Sequence, residues 1–212
     1  MAVHTAFSKL VTSVEELREL LGEAREVSRR KEITALDEHC KAFIAHSPFV
    51  LIGTANALGQ CDVSPKGDAP GFVRVLDDRT LLIPDRPGNR RFDGHRNILE
   101  NPHIGLLFLI PNVRETLRIN GRACLVRDED LLASMAVQGK VPTLGIGVEV
   151  EECFLHCPKA FIRSSLWDAA RAADARPIPS FARMIIDHAK LEGVTEAEYQ
   201  RQQAENLKTQ LY

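Results

Sequence analysis

The spacing of apolar residues divides the chain into a helical start, a β-rich middle and a helical end. Between residues 17 and 27 apolar side chains recur at intervals of three and four, which predicts an amphipathic helix. The segment Ser13-Val-Glu-Glu16 before it has the pattern of a capping box. A second stripe, from Leu36 to Ile44, predicts another helix, which Pro48 ends. We therefore expect residues 1–47 to form N-terminal helices that pack on the domain that follows.

Short runs of aliphatic and β-branched residues separated by turn signals occupy the middle of the chain. About seven strands are predicted, at residues 49–54, 61–64, 72–76, 80–83, 104–110, 116–126 and 144–154. A Gly/Pro-rich loop is predicted from Pro65 to Gly71, and helical inserts are predicted near residues 90–100 and 128–138. Short strands at this spacing are typical of an antiparallel barrel or sandwich and argue against alternating βαβ units.

The last region returns to helical patterning after about residue 157. A short helix is expected just after Cys157, and two further helices are expected at residues 180–190 and 195–211. The last of them opens with the capping box Thr195-Glu-Ala-Glu198 and has a polar middle, so we expect it to pack on the surface or on a partner chain. The predicted domains are N-terminal helices at 1–47, a barrel at 48–168 and a C-terminal helical extension at 169–212.

Composition and charge narrow the functional classes. The chain has 212 residues with 27 basic and 29 acidic side chains, and the resulting charge of −2 argues against a general nucleic-acid binder. No apolar run is long enough for a membrane span. The first residues lack the pattern of a secretory signal, and the five cysteines are best explained as free thiols in a reducing cytosol. We therefore expect a cytoplasmic protein.

Basic side chains gather after the predicted strand at residues 80–83. The segment Arg86-Pro-Gly-Asn-Arg-Arg91 is followed by His95, Arg96 and a predicted helix. Arginines at a strand-to-helix junction combine forked guanidinium donors with the free amides of the first helical turn, which is a good phosphate cradle. A solvated helix start with surface arginines explains the segment equally simply.

Two further segments carry candidate chemistry. Asp62-Val-Ser-Pro-Lys-Gly67 would present backbone amides, a hydroxyl and an ammonium to a ligand, although a plain turn with an exposed lysine is the simpler interpretation. Cys153, His156 and Cys157 could suggest zinc, but the chain lacks a second Cys/His pair at ligand spacing, so we expect no metal. Rossmann, P-loop and serine-hydrolase motifs are also absent from the sequence.

In chain order, these segments resemble the pyridoxamine 5′-phosphate oxidase-like family of FMN-binding split β-barrels. The resemblance covers residues 36–168. It rests on Asp62-Val-Ser-Pro-Lys-Gly67, Leu81-Leu-Ile-Pro-Asp-Arg-Pro-Gly-Asn-Arg-Arg91, Asn101-Pro102 and Thr116-Leu-Arg-Ile-Asn-Gly-Arg122. His156-Cys-Pro-Lys-Ala160 and Ser165-Leu-Trp167 are similar to a subgroup described as FMN-dependent enzymes. Each segment is common by itself, and their combination in this order is specific.

The resemblance implies a mainly β split barrel with flanking helices, α+β overall. It also implies a homodimer that holds two FMN molecules at the subunit interface. One subunit would border the flavin ring, hold its phosphate and add contacts from neighbouring strands. These residues would be Ile83, Pro84 and Asp85 at the ring, Asn89, Arg90 and Arg91 at the phosphate, and Ser64, Lys66, Thr116 and Arg118 around them. The second subunit would contribute His156, Lys159 and Trp167.

The proposed chemistry belongs to the cofactor. Reduction of a flavin places negative charge near N1 and the C2 carbonyl, so a cation beside them raises the reduction potential. We assign this role to Lys66. The sequence shows no obvious general acid or base beside the ring, and catalytic residues are left unassigned.

The sequence also departs from the family pattern. Pyridoxamine phosphate oxidases finish with an Arg-Leu-His-type substrate motif, whereas this sequence finishes with Asn206-Leu-Lys-Thr-Gln-Leu-Tyr212. Pyridoxamine phosphate is therefore not the expected substrate. Three hypotheses remain: an FMN-dependent oxidoreductase acting on an unidentified small organic substrate, a flavin-binding carrier without turnover, and a related barrel that binds haem.

Overall fold

The computed structural model describes residues 6–173 and 178–212. Parts of the predicted terminal domains, residues 1–5 and 174–177, lie outside the described residues. The helices are α1 (Val14–Leu21), α2 (Glu26–Arg30), α3 (Glu38–His46), α4 (Asp93–Glu100), α5 (Glu129–Ala133), α6 (Lys159–Ser164), α7 (Ala169–Ala173), α8 (Phe181–Ala189) and α9 (Glu196–Thr209). The strands are β1 (Phe49–Ala55), β2 (Cys61–Gly67), β3 (Arg74–Asp77), β4 (Thr80–Pro84), β5 (His103–Leu109), β6 (Thr116–Val126) and β7 (Gly145–His156).

The strands form one antiparallel sheet that curls into a split barrel. Their order is β2-β1-β5-β6-β7-β4-β3 within the described part of the chain. This agrees with the seven strands predicted from the sequence, and the α+β split barrel with flanking helices is confirmed. Strands β2 and β3 are the two edges, and the long strands β6 and β7 form the centre of the sheet.

Alternation along each strand separates an inner from an outer face of the sheet. On β1, Val50, Ile52 and Thr54 are buried, whereas the residues between them are partly or fully exposed. The inner face joins α3 in the core, where Ile44 and Phe108 are fully buried. Helix α3 begins after Asp37, whose side chain accepts a hydrogen bond from the Cys40 amide at 2.8 Å. A side-chain cap of this kind stabilises a helix by about 1 kcal/mol.

Two expectations about local structure were wrong. Strand β2 continues through Pro65 to Gly67, where a loop was predicted, so Ser64 and Lys66 lie on an edge strand. The helix predicted to reach residue 27 stops at Gly22, which has a positive φ of 76°. Helix α1 also buries none of its residues, so the apolar stripe that predicted it stays exposed.

The C-terminal helices follow the prediction closely. The capping box at Thr195 and Glu198 is formed, and α9 buries none of its residues. After α9 the chain returns to the barrel, where the Tyr212 hydroxyl donates to Asp68 at 2.8 Å and Arg86 lies over the Tyr212 ring. All five cysteines are free, as predicted. No helix in the described residues is both long and apolar enough to cross a membrane.

Candidate functional site

A polar cleft of about 330 Å³ opens at the split between edge strand β2 and helix α4. Its polar lining comes from the inward side chains of β2 and from the segment that leads into α4. Its apolar lining comes from neighbouring strands and from α4. The polar residues are Thr54, Asp62, Ser64, Lys66, Asn89, Arg91, Asp93 and His95, and the apolar ones include Ile52, Val63, Pro65, Ile98 and Ile146. Such a mixture suits a ligand with both a flat apolar part and a charged part.

Three ionisable residues meet at this cleft, and we call them the cleft cluster: Lys66, Asp85 and His95. The Lys66 ammonium lies 2.7 Å from Asp85 Oδ1, and His95 Nε2 lies 3.3 Å from the same oxygen. His95 Nε2 is buried, and its alignment with Asp85 does not meet hydrogen-bond geometry. The two side chains are therefore in close contact without a hydrogen bond. Burial acts to raise the pKa of Asp85, but the contacts from His95 and Lys66 outweigh burial and lower it. Asp85 is therefore ionised and compensates the charge of Lys66.

Helix α4 is fixed to the floor of the cleft by a buried amide. Asn97 donates from Nδ2 to Thr54 Oγ1 at 3.1 Å and to Asp62 Oδ2 at 2.9 Å. These bonds connect α4 with β1 and β2, and they set the position of His95 one half-turn earlier on the helix. Sequence reasoning included His95 in the basic segment without giving it a role, and it did not identify Asn97. The available signal was a polar residue next to Ile98 on the buried side of the predicted helix.

The segment before α4 holds the predicted phosphate-binding residues in an unusual backbone conformation. Arg90 and Phe92 have positive φ angles of 58° and 61°, which non-glycine residues adopt at a cost. Asn89 Oδ1 accepts the Arg91 amide at 3.1 Å, and Arg91 Nε contacts Asp93 at 2.8 Å. Asn89 and Arg91 line the cleft, whereas the exposed Arg90 does not. The first turn of α4 has no side-chain cap.

Three other predicted residues lie behind or beneath the cleft lining. Asp85 stands behind Lys66 and His95. Ile83 and Pro84 are fully buried, with Ile83 in the core. Their side chains therefore support the wall and do not line the cleft.

The remaining predicted residues lie elsewhere. Thr116 and His156 are cross-strand partners on β6 and β7, Arg118 contacts Glu152 at 2.7 Å, and Lys159 opens α6. The Trp167 indole donates to the Val113 carbonyl at 2.8 Å. Burial and the charges of Arg118 and Lys31 lower the pKa of His156. None of these predicted residues lines the cleft within one chain.

Among the predicted residues, Ser64 and Lys66 lie on one face of the sheet and Arg118 lies on the other. The β2–β1–β5–β6 register places Ser64 and Lys66 in rows with the buried Ile52 and Val50, on the inner face. Arg118 is in the row that passes through Leu107 and Leu51, on the outer face. The sheet therefore separates Lys66 from Arg118 within one chain.

A second depression of about 410 Å³ lies over β4, β6 and β7 on the outer face. Its charged lining residues are Arg122 and Glu149, and none of the predicted site residues borders it. Among the described residues, no group of three or more His, Cys, Asp or Glu side chains is placed to hold a metal ion. The cleft at α4 is therefore the candidate site.

The fold and the cleft together define a class of protein: a split β-barrel with a charged cleft between an edge strand and the helix after β4. The sequence pattern of the family described as Pyridoxamine 5'-phosphate oxidase matches residues 36–157, which include strands β1 to β7 in full. The match extends over more than half of the chain, and the chain belongs to this family.

Several solved structures are similar to parts of this chain. HupZ from Group A Streptococcus is 22% identical, with a TM-score of 0.46 over 57% of this chain and 93% of that one. The haem storage protein HutZ from Vibrio cholerae is 16% identical, with a TM-score of 0.41 over 57% and 93%. An FMN-binding protein from Syntrophomonas wolfei is 9% identical, with a TM-score of 0.42 over 54% and 81%. No curated protein shows significant sequence similarity to the chain.

Proposed function

We propose that this protein is a flavoprotein that binds FMN in the cleft and acts as an FMN-dependent oxidoreductase on a small organic substrate. The observation that carries the proposal is the cleft itself, which combines cationic and amide donors with an apolar wall. FMN has the matching parts, a phosphate and a flat ring. When bound, FMN supplies the redox chemistry, and the protein binds and orients it.

The chain's own residues divide between the two parts of FMN. Arg91, Asn89 and the uncapped amides at the start of α4 would hold the phosphate. The apolar side chains of Ile52, Ile98 and the neighbouring strands would flank the ring. Lys66 would reach the ring with its charge compensated by Asp85, so its effect on the flavin potential is weaker than that of a free ammonium.

We also propose that the functional unit is a homodimer with FMN at the interface. Two observations support it. First, Lys66 and Arg118 lie on opposite faces of one sheet, so a second copy would bring Arg118 to the flavin that lies beside Lys66. Second, the outer face of β1 and β5 carries apolar cross-strand pairs, Phe49 with Leu109 and Leu51 with Leu107, which are not buried in one chain. Apolar faces of this kind are typical of homodimer interfaces.

Leu51→Arg is expected to dissociate the dimer and to weaken FMN binding, because an arginine in the centre of this apolar patch would be desolvated without a partner. Analytical ultracentrifugation and FMN titration measure the two effects. The control is Leu58→Arg, since Leu58 is 85% exposed in the β1–β2 turn. If Leu51→Arg sediments with the same molecular mass as wild type and binds FMN with the same affinity, the proposed interface would be contradicted.

The first test of the function is the absorption spectrum of the purified protein, with identification of the ligand that it releases on denaturation. Paired flavin bands and released FMN are the expected result. Oxidation of NADH or NADPH with any acceptor would then distinguish an enzyme from a carrier without turnover. A Soret band in place of the flavin bands would favour a haem-binding barrel. A colourless protein that does not take up added FMN would overturn the proposal.

A further inference from the structure

The cleft and the carboxylate behind its lining together carry more negative than positive fixed charge. Lys66 on β2 and Arg91 in the segment before α4 are the cations that line the cleft together with His95. Three carboxylates accompany them: Asp62 on β2 and Asp93 at the start of α4 line the cleft, and Asp85 after β4 contacts His95 from behind. With a neutral His95 imidazole the net charge of this group is therefore −1. A phosphate-bearing ligand would meet a surplus of negative charge, which opposes its binding.

His95 is the group that can reverse this balance. Its side chain is 14% exposed, and its buried Nε2 atom has no hydrogen-bond partner. The ring is held edge-on to Phe92, with the two ring centroids 6.0 Å apart. The imidazolium form of His95, with Nε2 3.3 Å from the ionised Asp85, would cancel the surplus charge. Histidine is the side chain whose charge ordinarily changes between about pH 5 and pH 8.

We propose that His95 couples anion binding to proton uptake, so that FMN binds preferentially to the form of the protein in which His95 is protonated. This inference rests on the proposed function, because FMN is the anion that it concerns. The proton goes from solvent to the His95 imidazole, and no other bond is made or broken. Asn97 and Phe92 act as positioning residues, because they fix helix α4 and the imidazole ring.

Thermodynamic linkage predicts how the affinity for FMN depends on pH. A ligand that prefers the protonated state binds more tightly as the pH falls through the titration of His95, by at most tenfold for each pH unit. By reciprocity, FMN binding also moves the midpoint of the His95 titration to higher pH. The phosphate of FMN titrates as well, so the effect of His95 is the difference between wild type and a His95 variant.

The experiment is calorimetric titration of the protein with FMN between about pH 6 and pH 8, the range in which histidine changes charge. Each titration is done in two buffers of different ionisation enthalpy, which gives the number of protons taken up per FMN. The variant is His95→Gln, and the matched control is His39→Gln, since His39 is an exposed histidine on helix α3. Circular dichroism establishes that each variant is folded.

Wild type and His39→Gln are expected to take up more protons than His95→Gln. Between about pH 6 and pH 8, the FMN affinity of wild type and of His39→Gln is expected to fall several-fold to tenfold further than the FMN affinity of His95→Gln. Equal proton uptake in wild type and His95→Gln would overturn the inference and leave FMN binding intact. Failure of wild type to bind FMN at any pH would overturn the proposed function together with it.

Nuclear magnetic resonance titration of the His95 ring in the wild-type protein provides a test that needs no variant. The midpoint is expected at higher pH with FMN bound than without it. An unchanged midpoint would overturn the inference even if His95→Gln failed to fold.

Discussion

Gly121→Ala is expected to destabilise the barrel by more than about 3 kcal/mol, or to prevent folding altogether. Gly121 lies where the register between β6 and β7 shifts. A Cβ atom there would be 2.0 Å from the carbonyl oxygen of Glu149 and 3.0 Å from its carbonyl carbon. Both are backbone atoms of a central strand, so they cannot rotate away. Urea denaturation followed by circular dichroism measures the loss.

Gly53→Ala is the matched control. Gly53 is also a strand glycine, but a Cβ atom there would lie 3.7 Å from the Gly105 carbonyl oxygen, which is an ordinary contact. We expect its free energy of unfolding to stay within about 1 kcal/mol of wild type. Similar losses of unfolding free energy in the two variants would mean that replacing either strand glycine by alanine destabilises the protein. The close approach at Gly121 would then not be the cause.

The sequence predicts the barrel well because the strands follow from local alternation. Strand β6, Thr116–Val126, was predicted with both ends correct, since apolar residues alternate along it and turn residues flank it. Strand β2 was predicted too short because Pro65 and Gly67 resemble a loop. Proline is tolerated on an edge strand, where its missing amide hydrogen need not pair, and only the sheet order shows that β2 is an edge.

Periodicity also does not tell what a helix packs against. The stripes of α1 and α3 both predicted amphipathic helices, yet Cys40 and Ile44 of α3 are buried, whereas Leu20 of α1 is 64% exposed. The difference arises from tertiary position. Helix α3 leads directly into β1 and lies over the core, whereas Gly22 and α2 separate α1 from it.

The site was predictable only in part, because the contacts within it also depend on tertiary position. Ser64, Lys66, Asn89 and Arg91 were selected from their segments, and all four line the cleft. The ion pair between Lys66 and Asp85 joins β2 to the residue that follows β4, and β2 and β4 are not neighbours in the sheet. The contact between His95 and Asp85 depends on how α4 docks through Asn97. Neither contact has a signature in the local sequence, which is why His95 was named in the basic segment but was given no role.

Arg91→Ala is expected to weaken FMN binding by about 10- to 100-fold, the loss that accompanies removal of charge-assisted hydrogen bonds to a phosphate. Arg91 lines the cleft next to the uncapped start of α4, and its guanidinium lies 2.8 Å from Asp93. The partner Asp93 would remain after the substitution and would add repulsion toward the phosphate. Fluorescence titration with FMN measures the affinity at a fixed pH.

Arg90→Ala is the matched control, because it removes the same charge one residue earlier, from an exposed side chain outside the cleft lining. We expect a loss of no more than about threefold, from the weaker long-range attraction of a solvent-screened charge. Substitution of both arginines should release FMN. If the two single variants lost affinity equally, the phosphate would be attracted by the net charge of the segment. If neither lost affinity, the phosphate would lie elsewhere in the cleft, and the start of α4 would have no role in binding it.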